Sequence, residues 1–176
     1  MSTGDCMAPS RLPTAVCDAG PLIHLDELGC IDLLSDFEEC IVAPSVRDEV
    51  NLHRPQVFRR IDIAFRSSEL PNTVPAALGA LTRAFELHRG EQQAVAVAVA
   101  TPGALFLTDD TAARLAASSL SLVVHGSIGL IVRSMRRGQR SRDEVLDLLQ
   151  SIPKRSSLHI RSSLLARVIE TVRAET

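Results

Sequence analysis

Short, dense apolar runs alternate along the chain with longer stretches in which apolar residues recur at helical spacing. Residues 14–17, 40–43, 104–107 and 120–124 are short, mainly apolar runs bounded by polar or turn-forming residues, the mark of a buried strand. Residues 21–28 predict a helix, with Pro21 early in its first turn and Gly29 after its end. Residues 31–37 add a helical turn or two. Pro44 starts another helix, with Val46 and Val50 on one face, and residues 55–66 continue the helical spacing through Val57, Ile61 and Phe65. Residues 67–75, with Pro71 and Pro75, predict a loop, and residues 76–88 a helix.

Residues 91–100 are ambiguous. Their Ala-Val alternation fits a strand by period, yet Ala favours helix and the run is apolar on both sides, so a buried helix is preferred. Further helices are expected over 111–118, over 126–137 closed by Gly138, over 141–151 and over 163–172. In the last of these, Leu164, Leu165, Val168, Ile169 and Val172 form an apolar stripe that suits core packing better than an interface. Strands alternating with helices predict an α/β fold, a parallel sheet of about four to five short strands flanked by helices. No internal repeat is present.

Composition narrows this picture. At 176 residues the length suits one domain, expected over residues 14–176, after a polar segment 1–13 that Pro9 and Pro13 interrupt and that is expected to be flexible. Aromatic residues make up only 3%, with no Trp or Tyr, which argues against a base-stacking platform and requires a core built mainly from aliphatic residues. Cys6, Cys17, Cys30 and Cys40 form no C-x-x-C pair and no usual zinc spacing. No signal peptide is evident, and no apolar run approaches the roughly 20 residues of a membrane helix. A cytoplasmic protein without membrane contact is the expectation.

The net charge of −2 hides an asymmetry: residues 1–132 carry 9 basic and 16 acidic side chains, and residues 133–176 carry 10 basic and 5 acidic. An acidic region can hold cations while a basic one holds phosphates, although a charge run is as often a solvated helix face. Arg133, Arg136, Arg137 and Arg140 are the candidate phosphate contacts on this account.

Carboxylates at strand ends carry the candidate chemistry. Asp18 follows the run Ala15-Val16-Cys17, and Asp109 follows Leu105-Phe106-Leu107. Carboxyl ends of parallel strands line the ligand crevice of α/β sheets, so both acids belong at one mouth. Like charges brought together there call for a neutralising cation. Each Asp taken singly is better explained as a helix N-cap than as a catalytic residue.

The joint pattern resembles the PIN-domain nucleases. Val16-Cys17-Asp18-Ala19-Gly20-Pro21-Leu22-Ile23 is similar to the family's opening strand, acid and helix. Val42-Ala43-Pro44-Ser45-Val46-Arg47-Asp48-Glu49-Val50 resembles its second element, with Glu49 as the acid; Asp48 is expected to face solvent. Gly90-Glu91-Gln92-Gln93-Ala94 resembles its G-E-x-x-A helix start, and Leu107-Thr108-Asp109-Asp110 with Ala113-Arg114 its last acidic strand end. His125-Gly126-Ser127-Ile128-Gly129-Leu130-Ile131 and Arg136-Arg137-Gly138 are similar to the small bacterial and archaeal toxin-like (VapC-like) branch.

This resemblance implies a three-layer α/β/α fold and a metal-dependent endoribonuclease. It implies that Asp18, Glu49, Glu91 and Asp109 or Asp110 hold Mg²⁺ or Mn²⁺; many relatives have Thr-x-Asp, which selects Asp110, whereas strand-end geometry selects Asp109. Hard oxygen ligands and the lack of a His or Cys cluster suit those ions. Thr108 is a candidate for binding a water or phosphate, or for satisfying the backbone at the strand end. The resemblance also implies an RNA substrate, a small antitoxin partner and often a homodimer. The competing class is a PIN-fold binding or regulatory module without cleavage. His125 is more readily structural than a proton carrier, Ser45 and Ser127 lack a nucleophile-elbow context, and no phosphate-binding loop of the nucleotide-hydrolase type is present.

Overall fold

The computed structural model describes residues 14–175. The expectation of flexibility at residues 1–13, and Cys6, lie outside the described residues. Among the described residues the elements run β1 (Ala15–Cys17), α1 (Ala19–Glu27), a 3-10 helix (Ile31–Asp36), β2 (Cys40–Val42), α2 (Pro44–His53), a 3-10 turn (Val57–Arg59), β3 (Phe65–Ser67) and α3 (Ala76–Ala84). They continue through α4 (Arg89–Val99), β4 (Leu105–Leu107), α5 (Thr111–Ser119), β5 (Val123–His125), α6 (Ser127–Arg136), α7 (Arg142–Arg155) and α8 (Ser162–Ala174).

The five strands form one parallel sheet in the order β3-β2-β1-β4-β5, with helices flanking it in a three-layer α/β/α arrangement. Val16 pairs with Ile41 on one side and Phe106 on the other, and all three are buried, as a sheet covered on both faces requires. From β1 the chain builds outward in both directions, so the strand order switches between β1 and β4. A crevice outside the carboxyl ends of the strands opens at such a switch. The core is aliphatic, joined by Phe37 and Phe106. Gly29 and Gly138 close α1 and α6 at φ of +72° and +69°, a region where a side chain is strained.

Residues 91–100 are helical: Gln93 through Ala98 are buried on every side of α4, which removes the polar face that normally identifies a helix. Several expectations need correction. Helix α3 ends at Ala84 rather than at residue 88, with Glu86 beyond it at a φ of +52°, and the strand expected over 120–124 is Val123–His125, with Ser121 before it at a φ of +61°. Residues 55–66 are not a continuous helix but a 3-10 turn followed by edge strand β3. Val57 and Ile63 are buried while Ile61 lies fully exposed, so the spacing of Val57, Ile61 and Phe65 does not mark one face. Helix α7 runs beyond Ser151 and through Pro153. Ile152 is fully buried there, worth about 2 kcal/mol, which offsets much of the roughly 3 kcal/mol a proline costs inside a helix.

Candidate active site

In the pairing of β1 with β4, Cys17 lies beside Leu107, so Asp18 and Thr108 leave the sheet side by side. The fully buried Thr108 hydroxyl donates to Asp18 Oδ2 (2.8 Å) and accepts the Asp110 N–H (3.1 Å). Asp18 Oδ1 accepts the Ala19 N–H (2.9 Å), so Asp18 also caps α1. Thr108 is therefore an orienting residue that holds the Asp18 carboxylate and the Asp110 backbone and is not itself among the residues lining the cleft. Burial pushes the Asp18 carboxyl up from 3.8 to about 6; the Thr108 and Ala19 hydrogen bonds pull it down, and the charges of Glu91 and Glu49 push it up further.

The adjacent acids differ in their partners. Asp109 Oδ1 accepts the Ser127 N–H (2.7 Å), and Oδ2 takes the Ser127 hydroxyl (2.5 Å) and His24 Nδ1 (2.7 Å). Asp109 thus joins the end of β4 to the start of α6 and to α1. Gly126 is needed in this joint because a Cβ there would come within 2.7 Å of Asp109 Oδ1 and 3.2 Å of the Thr108 carbonyl. Asp110 uses Oδ1 to cap α5 through the Ala113 N–H (2.7 Å).

Helices α2 and α4 pack together and bring the remaining acids. The Ser45 N–H donates to Gln93 Oε1 (2.9 Å), locking the start of α2 to α4. Glu49 is exposed, and a Cβ on Gly90 would lie only 3.4 Å from its Oε2. Glu91 sits in a capping box at the start of α4, accepting the His88 N–H at 2.7 Å.

Asp18, Glu49, Glu91, Asp109 and Asp110 line one cleft of about 510 Å³, together with His24, His88 and Ser157 to His159. Neither Lys nor Arg is among its lining residues. Among the described residues, no three His, Cys, Asp or Glu side chains are gathered as a ready metal cluster. The acids share a cleft but remain spread around it.

The candidate phosphate contacts lie elsewhere. Arg136 pairs with Glu175, Arg137 with Asp36 (2.5 Å) and Arg140 with Asp32 (2.5 Å), while Arg133 is partly buried on α6. None of them lines the cleft. Asp48 is exposed and also outside it. His125 is half-buried; burial, then the Arg133 and Arg114 charges, lower its pKa, and its carbonyl accepts the Thr108 N–H (2.9 Å).

The three cleft histidines escaped sequence reasoning. His24 had one usable signal: it lies one helical turn beyond Gly20 on the helix that Asp18 opens. His88 had another, lying three residues before Glu91 as the N-cap of the same helix, whereas His159 had none, because it sits outside regular structure and reaches the cleft only through chain folding.

A family model described as a PIN domain matches residues 14–174 of the chain. No curated protein and no solved structure gives a match.

Proposed function

The chain belongs to the PIN-domain family, and from that premise we propose that it is a Mg²⁺- or Mn²⁺-dependent endoribonuclease, the toxin of a toxin-antitoxin pair. PIN domains are generally nucleases, hydrolases of phosphodiester bonds that use divalent metals. The observation that carries the reading for this chain is the gathering of carboxylates from four separate segments at the switch point of the sheet, with neither Lys nor Arg among the residues lining the cleft.

That donor set fits a hard divalent cation. Its five carboxylates outnumber the three lining imidazoles, cysteine sulfur is missing from the lining, and Asp18 is destabilised as an anion by burial and by the charges of its neighbours. We assign Asp18, Glu49, Glu91 and Asp110 as the residues that would hold it, with Asp109 as their support. When bound, such an ion supplies Lewis-acid polarisation of the scissile phosphate and neutralises charge on the leaving oxygen. The protein supplies position. Thr108 aims Asp18 and fixes the Asp110 backbone, Asp109 holds His24 against the cleft, and the capping box orients Glu91.

RNA as substrate, a small antitoxin that lays a helix or strand over the cleft, and a homodimer are parts of the same proposal, drawn from the toxin-like motifs. Among the described residues no helix is long and apolar enough to cross a membrane. The test is cleavage of matched RNA and DNA oligonucleotides with Mg²⁺, Mn²⁺ or a chelator. RNA cleavage should require the ion and fall at least about 100-fold in Asp18→Asn. Chelator-resistant cleavage, a preference for DNA, or full activity in the variant would overturn it.

A further inference from the structure

The acidic cleft is the middle of a longer trough. A second hollow, reaching Ile23 and His53, shares Gly20, His24, Glu49 and Ser157 with it. A third, reaching Leu165 and Ile169 of α8, shares Ser157, Leu158 and His159. Ser157 therefore stands where all three meet. It belongs to the link between α7 and α8, which is strapped to α1 by a single carboxylate. Glu27 accepts the Ser157 N–H (2.6 Å), the Ser157 hydroxyl (3.0 Å) and the Ser156 hydroxyl (3.0 Å), and pairs with Arg54 (3.2 Å). Burial resists ionisation of Glu27, but the Ser157, Ser156 and Arg54 contacts outweigh it and hold its carboxyl below the ordinary value.

The strap carries His159 to the cleft. Of the three histidines there, His24 is bound to Asp109, and the His88 side chain is used in the capping box with Glu91. His159 is exposed and, among the described residues, has no hydrogen-bond or ion-pair partner. It is an uncommitted nitrogen donor beside a cleft whose other polar groups are mostly acidic. Phosphates on either side of the scissile bond need such donors, since the acids repel them. Resting on the nuclease reading above, we propose that His159 is a substrate-positioning residue that contacts the RNA backbone flanking the cleaved bond, and that Glu27 sets its place through the strap.

Full-length wild type, His159→Ala, His159→Gln and Glu27→Gln are compared with Mn²⁺ and a fluorescein-labelled single-stranded RNA. His159→Ala should raise KM about tenfold with kcat within about twofold, the signature of a lost backbone contact. His159→Gln, which keeps a donor, should recover most of that loss. Glu27→Gln should raise KM in the same direction; if it folds poorly, the exposed His159 substitutions carry the test alone. The same His159→Ala change, made in Asp18→Asn protein, should weaken RNA binding about tenfold by fluorescence anisotropy. An unchanged KM and affinity, or a fall in kcat alone, overturns the assignment. Persistent cleavage by Asp18→Asn would instead count against the metal-site reading, leaving the affinity comparison to judge His159.

Discussion

Asp18 combines hydrogen bonds that favour its carboxylate with burial that opposes it. Its carboxylate caps α1 and accepts the Thr108 hydroxyl, yet burial raises its pKa from 3.8 to about 6. A carboxyl whose folded pKa lies above its unfolded value holds its proton more tightly in the native state. That protonated state supports folding below the unfolded value, and the support is lost as pH rises through 6, a change of about 3 kcal/mol at most. Metal-free Asp18→Asn should therefore be more stable than wild type by about 2–3 kcal/mol near neutral pH, with the gap closing as pH falls from about 6 towards 4. Urea unfolding across that range measures it. Mn²⁺ should raise the stability of wild type and leave the variant unmoved. The strand-end position of Asp18 was legible in sequence; its burial was not.

Among the elements, the Asp109-Asp110 doublet divides its labour by which helix each residue starts. Asp109 reaches across to α6 and His24, whereas Asp110 caps its own helix, α5, and keeps one oxygen clear of that cap. Asp109→Ala should cost about 1–3 kcal/mol of stability, because the Ser127 N–H and the His24 ring lose their acceptor. Asp110→Asn should change stability by less than about 0.5 kcal/mol, since Asn caps as well as Asp, but should abolish ion-dependent cleavage. Denaturation and cleavage assays on the two variants distinguish them; the reverse pattern would exchange the roles assigned here. The sequence leaves this open because strand-end geometry and the Thr-x-Asp pattern select different residues. Elements that hide their own pattern were misread for related reasons. Edge strand β3 is only half covered, and its Phe65-Arg66-Ser67 carries no apolar run. Helix α7 crosses Pro153 because Ile152 is buried beneath its last turn.

At the scale of the molecule, part of the charge asymmetry between the two parts of the chain is taken up in ion pairs within the fold. Arg136, Arg137 and Arg140 of the basic part pair with Glu175, Asp36 and Asp32, and the last two of these acids belong to the acidic part. The Arg137–Asp36 pair is mostly buried, at 18% and 10% side-chain exposure, and joins α6 to the first 3-10 helix. Arg137→Ala should lower stability by about 1–3 kcal/mol, because it strands a mostly buried carboxylate. Thermal melts read that loss, and a destabilisation below about 0.5 kcal/mol would show the pair to be dispensable.

The acidic cleft draws on both levels of organisation. The sequence by itself determined the alternation of strand and helix, the aliphatic core, and the positions of Asp18, Asp109 and Asp110 at strand ends, Glu91 at a helix start and Glu49 within the helix that Pro44 opens. Those features follow from local periodicity, turn chemistry and short motifs, which act over a few residues. Only the tertiary structure decided that the five acids line one cleft, that Thr108 bonds the Asp18 carboxylate, and that His24, His88 and His159 join the lining. These depend on strand order and on links such as the Glu27 strap, where residues 130 positions apart in the chain meet. No local pattern encodes a contact of that range; it is fixed by which packed arrangement buries the core.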